Sequence, residues 1–70
     1  MSEPILSLAE ALPQEMARVR AVLGHYREIG TAGNFGAAMI EHDLRMADRA
    51  AVSGDVVAML RAYETLKGIN

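Results

Sequence analysis

No cysteine and no tryptophan occur in the 70 residues, and the aromatic side chains are two tyrosines and one phenylalanine. Without cysteine there is no disulfide framework, which agrees with a reducing compartment. The 7 basic residues are mixed among 9 acidic ones for a formal net charge of −2, and no basic block occurs. Such a balance offers little to phosphate backbones or to an anionic membrane, so nucleic-acid and membrane partners are not expected. No stretch approaches the roughly 20 apolar residues of a membrane span. The opening MSEPILSLAEAL has no positive start, and Ser7 and Glu10 interrupt its apolar run. It is therefore not expected to be a signal peptide, and a cytoplasmic location is expected.

What the chain does have is apolar surface. Hydrophobic residues make up 51% and the mean hydropathy is +0.12. Seventy residues form one domain at most, here taken as 1–70 with residues 1–6 frayed. A core of that size rarely contributes more than roughly 3–5 kcal/mol, and small chains usually add disulfides, a metal or oligomerisation. With the first excluded and no metal motif present, a homodimer is the expected support.

The periodicity predicts an all-α fold, with helices at about 13–29, 34–52 and 55–67 after a short lead-in. Ser7 and Glu10 have capping-box spacing, but Pro13 suits a first helical position, so the first helix is expected to start there. Its stripe is Met16, Val19, Leu23 and Tyr26, widened by Leu12, Val22 and Ile29, and Gly30 supplies its C-terminal stop. Ala17, Ala21 and Gly24 give it a second, small-residue face. Thr31 or Asn34 is expected to cap the second helix. At the break Ser53-Gly54-Asp55, Gly54 suits a left-handed stop for the second helix and Ser53 or Asp55 can cap the third, which places Val56, Met59, Leu60, Tyr63 and Leu66 inward. Gly68 and Ile69 suggest a Schellman ending.

The second helix, NFGAAMIEHDLRMADRAAV, is apolar over more than half its circumference. One face holds Ile40, Leu44, Ala47 and Ala51. The other holds Phe35, Met39, Met46 and Ala50, with Asp43 projecting between them. Glu41, Arg45, Asp48 and Arg49 form the polar side, where Glu41–Arg45 has favourable i,i+4 spacing. The surplus apolar face points to an interface, first with a second copy. Asp43 would be costly to bury alone; it pairs either with Arg20 or Arg27 of the first helix or with a partner's cation. Tyr26, Tyr63 and Phe35, as the aromatics of the chain, are the anchor candidates, and Arg20 and Arg27 are rim candidates.

Other constellations carry less. Ala50, Gly54 and Leu60 fit the spacing of a helix-turn-helix, but the next helix, VVAMLRAYET, offers only Arg61 as a long base-reading side chain. ADRAAVSGDVVAMLRAYETL resembles the turn of a tetratricopeptide pair, yet there is room for one pairing and no internal repeat. His25 falls opposite the first helix's stripe, and His42 with Glu41 and Asp43 diverges around a helix and does not chelate. GTAGNFG lacks the lysine of a phosphate loop. Catalytic residues, metals and cofactors are not expected.

The stretches LPQEMARVRAVLGHYREIG and SGDVVAMLRAYETLKGI resemble those of small helical proteins encoded by phages and prophages of Gram-negative bacteria. In size and texture the chain is similar to the quorum-sensing anti-activator of Mu-like phages. That resemblance implies a dimeric helical protein that disables a host regulator or defence protein, and it brings no site residue with it. The expected function is thus a non-enzymatic protein-interaction module. A helix-turn-helix-like DNA-binding regulator and a self-associating accessory protein are the alternatives.

Overall fold

The structure is a computed structural model that describes residues 7–70. The frayed start expected at 1–6 lies outside the described residues. Three helices follow in order: α1 (Leu8–Glu28), α2 (Asn34–Ser53) and α3 (Val56–Lys67). A short 3-10 turn, Gly30–Gly33, joins the first two. The described residues contain no strand, and the all-α, three-helix expectation holds.

The first helix starts earlier than predicted. Ser7 is its N-cap and forms a full capping box, its hydroxyl accepting from the Glu10 N–H at 3.2 Å while the Glu10 carboxylate accepts from the Ser7 N–H at 3.2 Å. Pro13 is therefore inside α1, not at its start. Its ring denies a hydrogen bond to the carbonyl of Ala9, but Ala9 is exposed and water can serve that carbonyl. Leu12, fully buried, holds the turn on the core. Two capping bonds and one anchor thus outweigh a single proline. Pro13→Ala is accordingly expected to stabilise the fold by about 1–3 kcal/mol, read as a higher midpoint in thermal unfolding followed by circular dichroism. An unchanged or lower midpoint would show that the proline costs this helix nothing.

The core is one cluster to which every helix contributes. Leu12, Met16, Val19 and Leu23 come from α1, Ala37, Ile40, Ala47 and Ala50 from α2, and Met59 and Leu66 from α3. The predicted stripe of α1 is thus confirmed except at Ile29, which is 62% exposed beyond the helix end. The small face of α1 is left open among the described residues: Ala17 and Ala21 are exposed, and a Cβ built on Gly24 would have no neighbour within 4 Å.

The connections also differ in detail from expectation. Gly30 takes φ +83°, the left-handed stop foreseen for it. The chain then runs through the 3-10 turn directly into α2. Neither Thr31 nor Asn34 caps α2: the N-cap position falls on Gly33, which has no side chain, and Asn34 already has helical dihedrals. Gly68 keeps right-handed dihedrals, so α3 ends in tight 3-10-type bonds, Gly68 N–H to Thr65 and Ile69 N–H to Leu66, rather than a Schellman motif.

Three helices in mutual contact leave a thin molecule. The Cα extents are 46 × 29 × 14 Å with a radius of gyration of 13.2 Å, against about 11 Å for a compact chain of this length. The accessible surface is 4940 Å², where roughly 4,300 Å² is typical of this mass. The fold closes a core but leaves a broad side open.

Candidate interaction surface

The open side is built mainly by α2. Its predicted second face stands clear of the core at three positions, with Phe35 79%, Met39 51% and Met46 48% exposed. Ala50, assigned to the same face, is corrected: it is buried in the core. Ala51, assigned to the core, is exposed in its place. Near the end of α2 the nearest neighbour is α3, folded back by the turn, and it covers Ala50 rather than the side occupied by Ala51.

That turn is tightly specified. Gly54 has φ +71°, a conformation that costs other residues roughly 1–2 kcal/mol. The Ser53 hydroxyl donates to the Ala50 carbonyl at 2.8 Å and accepts from the Asp55 N–H at 3.1 Å. The Asp55 carboxylate accepts from the N–H groups of Val57 and Ala58 at 3.0 and 3.3 Å, capping α3. The left-handed Gly54 expected at this break is found, and of the two candidate caps, Ser53 and Asp55, it is Asp55 that caps α3.

Where α3 leaves the turn, the inward stripe narrows. Met59 and Leu66 are buried and Tyr63 half-buried, but Val56 is 67% and Leu60 47% exposed, against expectation. Val52 and Val57 are exposed beside them. The core covers a single stripe of α3, and Val56 and Leu60 fall outside it. The result is a second apolar patch around the turn, signalled in the sequence by valines on both sides of Ser53-Gly54-Asp55.

Between α2 and α3 runs a groove of about 450 Å³. Small residues, Ala50, Ala58 and Ala62, line it, with Met46, Arg49 and Arg61 among its other walls. Asp43 belongs to this groove and also to a smaller hollow of about 300 Å³, where Tyr26, Met39 and Ile69 meet. The alanines at 58 and 62 were the available sequence signal, since their spacing puts them on one side of α3.

Charge pairing departs from the sequence reading. Arg27 bonds Glu41 across α1 and α2. The i,i+4 pair Glu41–Arg45 and the pairing of Asp43 with Arg20 or Arg27 are therefore both corrected: the interhelical geometry aligns Arg27 with Glu41, one side further round α2. Asp43 is half-buried, and among the described residues neither it nor Arg20 has an ion-pair partner. Arg18, not singled out from sequence, spans two helices. It donates to the Glu15 carboxylate at 2.7 Å and to the Leu66 carbonyl at 2.9 Å, adding a second bond to a carbonyl at the end of α3 that also accepts from the Ile69 N–H. This hydrogen bond, with the positive charge of Arg18 and Lys67, lowers the Glu15 pKa against the opposing effect of burial.

Tyr26 belongs to the fold rather than to a free surface. A Cβ built on Gly36 would come within 2.6 Å of its ring, so the ring fills the space that Gly36 leaves on α2. Tyr63 is likewise engaged, with the Lys67 ammonium 5.6 Å above its ring. Of the three aromatics, Phe35 alone is left uncovered. His25 and His42 are exposed, and the described residues hold no group of three or more metal-ligating side chains.

Searches of protein-family models, of characterised proteins and of solved structures return no significant match to this chain.

Proposed function

We propose that the protein is a non-enzymatic interaction module that pairs with a second copy and holds another protein through its exposed apolar surface. One observation carries the reading. Among the described residues, eight large hydrophobic side chains are 47–84% exposed, and seven of them gather in two places, along α2 and around the α2–α3 turn. A chain with a fully apolar core has no folding use for them there, and patches of this kind mark protein contacts. The likeness of its long stretches to small phage and prophage proteins supports a host regulator or defence protein as the target, bound and inhibited in the cytoplasm.

A DNA-reading role has less behind it. The exposed side of α3 carries Val56, Val57 and Leu60, with Arg61 and Lys67 as its long donors and Glu64 among them. No described helix is long and apolar enough to cross a membrane.

The test uses the full chain as bait in lysate of a Gram-negative host, beside a Val57→Asp variant with unchanged helicity. Support is a host protein that the parent retains, that the variant releases, and whose activity falls when the parent is added. Self-association with no such target would leave an accessory protein, and a salt-sensitive mobility shift of random duplex DNA would favour the regulator.

A further inference from the structure

The pairing with a second copy, on which this inference rests, can be given a place and a register. Asp43, Met46 and Arg49 lie at i, i+3 and i+6, one diagonal ridge on the surface of α2, and all three line the same groove. The ridge reads acid, apolar, base. Six residues apart on one helix, the acid and the base are about 9 Å apart along the axis and do not meet. Neither forms an ion pair among the described residues.

Such a row is its own complement. A two-fold axis through Met46 lays it on its copy in the reverse direction, so that acid meets base at both ends and Met46 meets Met46 in the middle. We infer that the occupant of this face is a second copy of the chain. The two α2 helices cross at Met46, and Asp43 of each protomer pairs with Arg49 of the other.

Three further features agree. Met39 and Met46 are large and exposed, while the neighbouring groove is lined by Ala50, Ala58 and Ala62, so one chain carries both ridge and recess. Asp43, half-buried beside methionines, gains the cation that none of the described residues supplies. The thinness of the molecule and its surplus of surface are what one half of a two-layer assembly would show.

Charge reversal tests the register. The full chain and the variants Asp43→Arg, Arg49→Asp, the double reversal and Met46→Glu are compared by sedimentation equilibrium, with circular dichroism to establish that each is folded. The parent is expected at about twice its 7.6 kDa. Each single reversal sets like charges together and should raise the dimer Kd roughly tenfold or more, and the double reversal should recover most of the loss. Met46→Glu, which places two carboxylates at the axis, should leave monomer. A parent dimer that the double reversal does not rescue, or that survives Met46→Glu, overturns this interface and leaves the dimer reading intact. A parent that stays monomeric at high micromolar concentration overturns both and leaves the face to a different protein.

Discussion

Gly33→Ala is expected to be among the most damaging single substitutions in this protein. Gly33 is buried at the joint between the 3-10 turn and α2, with φ −91° and ψ −5°, dihedrals that any residue tolerates. Space, not conformation, demands glycine. A Cβ there would overlap the Tyr26 carbonyl oxygen and lie 3.2 Å from the Ile29 Cβ. The oxygen is backbone of α1 and has no rotamer by which to withdraw. The joint must open, tilting α2 away from α1 and lifting Ala37 and Ile40 from the core. Overpacking a side chain costs about 1–3 kcal/mol and occasionally more; against backbone, about 3 kcal/mol or more is expected. That is most of the roughly 3–5 kcal/mol available to so small a core. Thermal unfolding should show a midpoint lowered by over about 10 °C, or no cooperative transition. Gly54→Ala is the control, because its Cβ meets nothing within 4 Å and it costs only the left-handed conformation. Equal melting of the Gly33→Ala chain and the parent would refute the steric account.

Leu66→Ala should be comparably severe. Leu66 is fully buried and is one of only two buried residues in the 12-residue α3. A helix that short is marginal alone in water and depends on packing. Truncating a buried leucine costs about 2–5 kcal/mol, more where the cavity cannot collapse. Here α1 and α2 are already held by their own contacts and leave little to move in. Loss of the anchor should also slacken the bond from Arg18 to the Leu66 carbonyl. Hydrogen exchange should show α3 unprotected while α1 keeps partial protection; uniform protection in all three helices would argue that Met59 alone suffices.

The two substitutions separate what local pattern and global arrangement contribute. Residues at three- and four-residue spacing on α1, from Leu12 to Leu23, were legible as a core stripe because a helix turns by a constant angle and its buried side repeats with it. The Ser53-Gly54-Asp55 break was legible for a similar reason: a left-handed glycine and a capping carboxylate act within a few residues of themselves. Pro13 was misjudged because a proline rule is a local cost, and the offset came from Leu12, whose burial depends on the other helices. Ala50 and Ala51 exchanged roles for the same cause. Neighbouring alanines differ by 100° of rotation, and the side that α3 covers is set by the path of the turn.

The candidate surface divides along the same line. Sequence alone picked out Phe35, Met39 and Met46 as surplus to one core, with Asp43 among them, because a helix apolar over half its circumference cannot bury all of it against two neighbours. It also determined the three-helix, all-α class and the polar character of the chain's charge. Only the tertiary structure decided that Arg27 goes to Glu41 and leaves Asp43 without an ion-pair partner among the described residues, that Tyr26 packs on Gly36, and that Val52, Val56, Val57 and Leu60 form a second patch. The physical reason is range. Turning angle, capping and backbone sterics act within a few residues, and the order of residue types records them. Which side chains meet across helices depends on how three rods cross, and that crossing is set by close approaches, Gly33 on the Tyr26 carbonyl and Gly36 under its ring, between residues that no single-helix pattern connects.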